Sequence, residues 1–265
     1  GSIMEKKLSI ISHKKAKSLV EKTAAMIFRG CAIISVLAVV TITGYMIISG
    51  TPAIFKEGIT GILFSTTWAP TAAHPQYGIA YVILTSIVGV FLAICIGVPI
   101  GLFTAINLAE IAPVKLRKIL KSAIELLAGI PSVVYGLLGI LILNPMMYKL
   151  ELMIYHGSKT HQFTGGANLL SAIIVLAIMI LPTLINISET ALKAVPDDYR
   201  KSSLALGASK IQTIFKVVVP SAKSGIMSAI VLGVGRAIGE AMAILLVAGN
   251  AVSLPLPFNS VRFLT

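Results

Sequence analysis

The chain has 265 residues, 56% of them hydrophobic and 12% charged, with a mean hydropathy of +0.94. That balance excludes an ordinary soluble domain and points to lipid as the solvent. The net charge of +12 comes from 22 Lys and Arg against 10 Asp and Glu, and because the basic residues border apolar runs without interleaved aromatic platforms it argues against nucleic-acid binding.

About 20 apolar residues cross a hydrocarbon core of roughly 30 Å as a helix. Five runs of that kind stand at 30–49, 79–108, 124–143, 169–187 and 225–249. No barrel-like alternation accompanies them, so the predicted fold is an all-α polytopic membrane bundle with five transmembrane helices. Before the first run, the arm 1–29 mixes Lys6, Lys7, Lys14, Lys15, Lys17, Lys22 and Arg29 with apolar side chains. It reads as a basic amphipathic helix on anionic lipid or as a plain topogenic signal. The remainder, 30–265, is the transmembrane domain.

Short cytoplasmic loops carry excess Lys and Arg. The second-to-third connection holds Lys115, Arg117, Lys118 and Lys121, and the fourth-to-fifth holds Lys193, Arg200, Lys201, Lys210, Lys216 and Lys223. Opposite them stand only Lys56, Lys149, Lys159 and Arg262. The amino terminus is therefore expected in the cytoplasm and Thr265 outside. The exterior stretch 50–77, with Pro52, Pro70 and Pro75, is expected to be irregular and held at the interface by Trp68 and Tyr77. Cys31 and Cys95 fall inside spans and are expected to be packing residues; the Cys and His spacings suggest no disulfide, metal or cofactor.

Gly97/Gly101 and Gly235/Gly239 repeat at four-residue spacing, which predicts close helix approach. Pro131 and Pro182 predict kinks inside spans. Between the fourth and fifth runs, residues 191–223 are too polar to cross. Pro196-Asp197-Asp198 predicts a helix start, Tyr199 to Leu206 a short amphipathic helix, Gly207 a left-handed turn, and 209–218 a second helix stopped by Pro220. The order Lys201-Ser202-Ser203-Leu204-Ala205-Leu206-Gly207-Ala208 followed by Val217-Val218-Val219-Pro220 resembles the EAA loop of ABC-importer permeases, with Lys201, Ser202 and Ser203 where the family has Glu-Ala-Ala. The resemblance implies that Tyr199, Arg200, Lys201, Ser202, Ser203, Leu206, Gly207 and Ala208 face an ATPase partner.

Arg236 and Glu240 lie within the last apolar run, where insertion of an Arg costs on the order of 2.5 to 3.5 kcal/mol. Their i, i+4 spacing allows an internal salt bridge. It also suits an oxyanion: Arg offers a planar fork of donors, and a carboxylate accepts the proton of hydrogen phosphate that sulfate lacks. Ser132, Tyr135 and Asn250 are weaker pathway candidates. An ATP-independent secondary transporter, or a permease for another small oxyanion, stays open on these residues alone. No Walker A loop, nucleophile elbow or HExxH is found, so no catalytic residue is assigned and the chain is not expected to be an enzyme.

The string from Gly233 to Asn250, together with Ala109-Glu110-Ile111-Ala112-Pro113 and the segment from Ile124 to Gly136, resembles phosphate-specific transport permeases of the PstC type. That resemblance implies phosphate import through Arg236 and Glu240 in an inner membrane. It implies as partners a second, PstA-type permease, two PstB-type ATPase subunits and an extracytoplasmic PstS-type phosphate-binding protein. The family core has six spans against the five read here, so a truncated carboxyl end is expected.

Overall fold

The computed structural model describes the backbone of residues 2–264 and the side chains of residues 20–264 other than 53 and 57. Two compact units are present, Gly1–Ile62 and Leu63–Thr265.

The first unit is dominated by α1 (Ser2–Glu57), which continues through Pro52 until Gly58 turns left-handed at φ 77°. The basic arm at 1–29 rests largely on side chains outside the described residues. From Val20 onward α1 presents exposed apolar side chains, among them Met26, Ile34, Val39 and Ile48, as suits a helix solvated by lipid. α2 (Ile59–Phe64) follows.

The stretch 50–77 expected to be irregular is helical up to Phe64 apart from the turn at Gly58, and in the second unit its remainder carries a small antiparallel hairpin, β1 (Trp68–Ala69) with β2 (Gln76–Tyr77). Trp68 meets Tyr77 edge to face at 6.0 Å, and Arg262 lies 5.4 Å above the Trp68 ring. α3 (Ala80–Ile106) is carried on by a π-helical turn, Asn107–Ile111. α4 (Val114–Gly129) comes next, then α5 (Ser132–Leu138), a second π turn (Gly139–Leu143) and α6 (Asn144–Ile154). α7 (Leu169–Lys193) precedes α8 (Asp197–Ala205), α9 (Lys210–Thr213), a π turn (Ile214–Val218) and α10 (Val219–Ser221). α11 (Lys223–Ile238) and α12 (Met242–Val247) close the helical part.

Among the described residues four helical segments are long and apolar enough to cross a membrane: 20–56, 80–111, 132–154 and 169–193. A fifth is counted if 210–221 and 223–238, bent by 69° at Ala222, are taken together. The span predicted at 124–143 is therefore displaced. Ile130 and Pro131 are extended, which ends α4 and opens α5, so 124–129 belongs to the preceding helix; a residue before proline disfavours the helical region. Pro182, by contrast, sits inside a continuous α7.

α7 is the axis of the bundle. Its Leu176, Ile180 and Leu184 are buried in a core shared with α3, α5, α11, α12 and the terminal Val261 and Phe263. At Gly97 a Cβ would come within 2.7 Å of Ile180 Cδ1, so that glycine does permit close packing of α3 on α7. Gly235 has nothing within 4 Å of its would-be Cβ, and the second glycine pair does not serve helix approach. Cys31 and Cys95 are exposed rather than packed. A second core joins the end of α3, α4, the end of α7 and the start of α11 to Ile214 and Val218. The loops 65–78, 155–168 and 249–263 gather at the opposite end, where Tyr155 meets Phe258 and the Leu169 amide donates to the Asn259 carbonyl at 3.0 Å.

Candidate functional site

The last apolar run is not one helix. Arg236 lies in the final turn of α11; Gly239 closes that helix, its amide donating to the Gly235 carbonyl at 3.1 Å, and Glu240 and Ala241 stand outside before α12 begins. Two glycines in five residues weaken the helix here. The i, i+4 pairing of Arg236 with Glu240 needs an unbroken helix and is not made. Glu240 Oε1 instead accepts from the Ala243 amide at 3.2 Å, satisfying a donor at the start of α12. Arg236 Nη1 reaches across to α7 and donates to Thr183 Oγ1 at 3.4 Å. Among the described residues no carboxylate pairs with Arg236.

Thr183 follows Pro182, which has no amide hydrogen to give the Ile178 carbonyl, so its neighbourhood is locally polar. It did not figure among the sequence candidates, although a hydroxyl next to an in-span proline is a readable signal. Tyr135 is buried. The Tyr135 hydroxyl is committed: it donates to the Leu127 carbonyl at 2.7 Å and ties α5 to the end of α4. Ser132 opens α5 and is half-buried. α5 approaches α12 at Gly136, where a Cβ would come within 3.0 Å of Ala243 Cα. Asn250 stands apart. It follows the left-handed Gly249 that ends α12, is itself at φ 63°, and donates its side-chain amide to the Leu245 carbonyl at 2.7 Å and its backbone amide to Val261 at 3.0 Å. The six residues of α12, about 9 Å of helix, stand between it and Glu240, so its position is structural. Glu240 also borders a cavity of about 410 Å³ between α3, α11 and the terminal Phe263 and Leu264, lined otherwise by apolar side chains and Ser86.

The segment 195–222 forms the expected hairpin. Pro196 caps α8, with Asp197 and Asp198 in its first turn, where the helix dipole favours carboxylates. Gly207 turns at φ 86°, a conformation that L side chains resist. Ser209 and Gln212 then form a reciprocal capping box, with Gln212 N donating to Ser209 Oγ at 3.2 Å and Ser209 N to Gln212 Oε1 at 2.9 Å. Pro220 does not stop the second helical stretch: it is the second residue of α10, and the bend falls at Ala222.

Of the residues assigned to a partner-facing surface, Leu206 is 89% exposed, and Tyr199, Lys201, Ser202 and Gly207 are also open to solvent. Ser203 points inward, its hydroxyl 2.9 Å from that of Thr213, and Ala208 is half-buried. Arg200 is likewise turned into the bundle, where it is bonded to Glu110 at the end of α3. Those bonds raise its already high pKa further, so it is charged throughout the accessible pH range. Nearby, buried Glu189 of α7 pairs with Lys193 and, at 3.7 Å, with Lys121 of α4. These pairs bring the two basic connections to one end of the bundle.

Apolar spans, an arginine without an acidic partner at a helix break, and a two-helix hairpin rooted in the bundle define a permease subunit of a membrane transporter. The chain belongs to the family described as binding-protein-dependent transport system inner membrane component, which matches residues 97–261. It is an inner-membrane permease subunit of an ABC importer, a system that also comprises ATPase and binding-protein partners. It is 40% identical over 259 residues to a probable ABC transporter permease protein, YqgH, of Bacillus subtilis, covering 97% of this chain and 81% of that one. The phosphate transport system permease protein PstC of Xylella fastidiosa is 35% identical over 82% of this chain and 69% of its own. That of Pasteurella multocida is 37% identical over 73% and 62%. Among solved structures, the inward-facing MetNI methionine ABC transporter aligns with a TM-score of 0.42 at 23% identity, over 61% of this chain and 68% of that one.

Proposed function

We propose that this permease conducts inorganic phosphate into the cytoplasm, with Arg236 and Glu240 on the pathway and the hairpin 191–223 as the docking site for an ATPase partner. The observation that carries the reading is Arg236, held by Thr183 beside a helix break with no carboxylate among the described residues to neutralise it. A guanidinium retained at such expense within an apolar bundle is a ready partner for an oxyanion. The Glu240 carboxylate, two residues before α12, can accept the proton of hydrogen phosphate and repels an anion that has none. Relatives named as phosphate transport permeases support the substrate.

ATP hydrolysis then belongs to two PstB-type subunits, delivery to a PstS-type binding protein, and the other half of the pathway to a PstA-type permease. The positive-inside rule assigns the end carrying Lys115, Lys118, Lys121, Lys193, Lys201 and Lys210 to the cytoplasm, and the basic residues before the first span assign the amino terminus to the cytoplasm as well. The test is ATP-driven uptake of labelled phosphate and sulfate into vesicles holding the full-length subunit with its partners, for the parent, Arg236→Ala and Glu240→Gln. Phosphate uptake lost in Arg236→Ala with ATPase association intact is the expected result, and Glu240→Gln lowers uptake and narrows the preference over sulfate. Unchanged uptake in both variants refutes the site; preferential uptake of sulfate by the parent substitutes another oxyanion.

A further inference from the structure

We infer that Arg200 and Glu110 form the joint through which the hairpin drives the spans, rather than Arg200 being a contact for the ATPase. The inference rests on the reading of 191–223 as the ATPase socket. α8 buries no residue, so apolar packing does not hold it to α3. Arg200 does. Its Nε donates to both Glu110 oxygens at 3.2 Å and its Nη2 to Oε1 at 2.6 Å. The remaining donors are also engaged: Nη1 with the Val195 carbonyl at 2.6 Å and Asp197 Oδ1 at 3.3 Å, and Nη2 with the Leu192 carbonyl at 2.9 Å.

One planar group thus fixes three segments: the end of α3, the end of α7 and the start of α8. Its side chain is 18% exposed and that of Glu110 9%. Charge-assisted bonds in a fixed fork leave little rotational slack, which a single flexible Lys could not reproduce. The acceptor is placed for the purpose. Glu110 lies in the π turn Asn107–Ile111, closed by the Ala112 amide on the Asn107 carbonyl at 2.7 Å, and such turns concentrate at functional positions. From Glu110 the rigid path continues along α3 to its close contact with α7 at Gly97 and Ile180, three residues short of the Thr183 that holds Arg236. A displacement of α8 accordingly moves α3 with it, as rigid elements do in domain-scale switching.

The experiment uses the assembled transporter in lipid vesicles and reads three quantities: ATPase retained on purification, ATP hydrolysed, and phosphate taken up per ATP. The neutral pair Glu110→Gln with Arg200→Gln leaves no buried charge unpaired, since Asp197, which it also releases, is exposed. It is expected to keep the ATPase and its hydrolysis while uptake per ATP falls about tenfold, within the usual range of coupling between sites. Arg200→Lys, which keeps the charge but not the fork, loses less than the neutral pair and supplies the ratio if that pair does not assemble. Unchanged uptake per ATP in the neutral pair and in Arg200→Lys overturns the inference. So does loss of the ATPase itself, which makes Arg200 a docking contact. Leu206→Asp reports on the underlying reading separately: if it retains both ATPase and uptake, the hairpin is not the socket, whatever the clasp variants do.

Discussion

Two apolar residues of the hairpin, eight positions apart, have opposite environments, and truncating each should produce opposite phenotypes. Ile214 is 1% exposed in the core that joins α3, α4, α7 and α11; Leu206 is 89% exposed beside the glycine turn. Ile214→Ala removes three buried carbons at about 0.8 kcal/mol each, roughly 2.4 kcal/mol, and about 3 to 4 kcal/mol once the remaining cavity is included. Leu206→Ala should change the stability of the subunit by no more than about 0.5 kcal/mol. If the ATPase buries that side chain, however, its loss weakens association by about 1.5 to 3 kcal/mol, roughly tenfold to a hundredfold in affinity. Thermal unfolding of the purified subunit in lipid nanodiscs, beside titration with the ATPase partner, separates the two effects. A Leu206→Ala subunit that unfolds earlier yet binds the ATPase like the parent would refute both the exposure and the docking role assigned to it.

Other substitutions probe the same geometry. Gly207→Val places a β-branched residue at φ 86°; it should destabilise the hairpin by about 1 to 2 kcal/mol and show as faster amide exchange across α8 and α9. Tyr135→Phe removes the 2.7 Å bond to Leu127 and should lower stability by about 1 kcal/mol while leaving phosphate uptake near the parent rate; uptake as low as in Arg236→Ala would return the hydroxyl to the pathway. Thr183→Val keeps the volume but not the acceptor for Arg236, and is expected to raise the half-saturating phosphate concentration about fivefold with little change in maximal rate, a loss of roughly 1 kcal/mol.

Much of this molecule could be read from local pattern. Length and hydropathy marked the spans at 80–111 and 169–193, and proline, glycine and acidic residues in order marked both ends of α8. Where the reading slipped, two local signals competed. Apolar residues continue across Ile130 and Pro131, so hydropathy alone merged the end of α4 with α5, although the residue before a proline resists the helix. The four-residue spacing of Gly235 and Gly239 suits helix packing, yet in the fold they accompany the end of α11. The bond between Arg200 and Glu110 links positions 90 apart, and no periodicity connects them. Arg236 announced itself by its cost in an apolar run, but its partner Thr183 came only with the folded arrangement of α7 against α11.

The interruption at 239–241 also determines where water goes. α11 is 16 residues long, about 24 Å of helix from the end that carries the hairpin, so the interruption lies well across a hydrocarbon layer of about 30 Å. Carbonyls at the end of α11 there lack the amides that a continuing helix supplies, and such groups are not left facing lipid. They must be hydrated or covered by protein. If water reaches that depth from the hairpin end, about 24 Å of the roughly 30 Å layer is bridged and only a few ångströms of barrier remain for a charged solute.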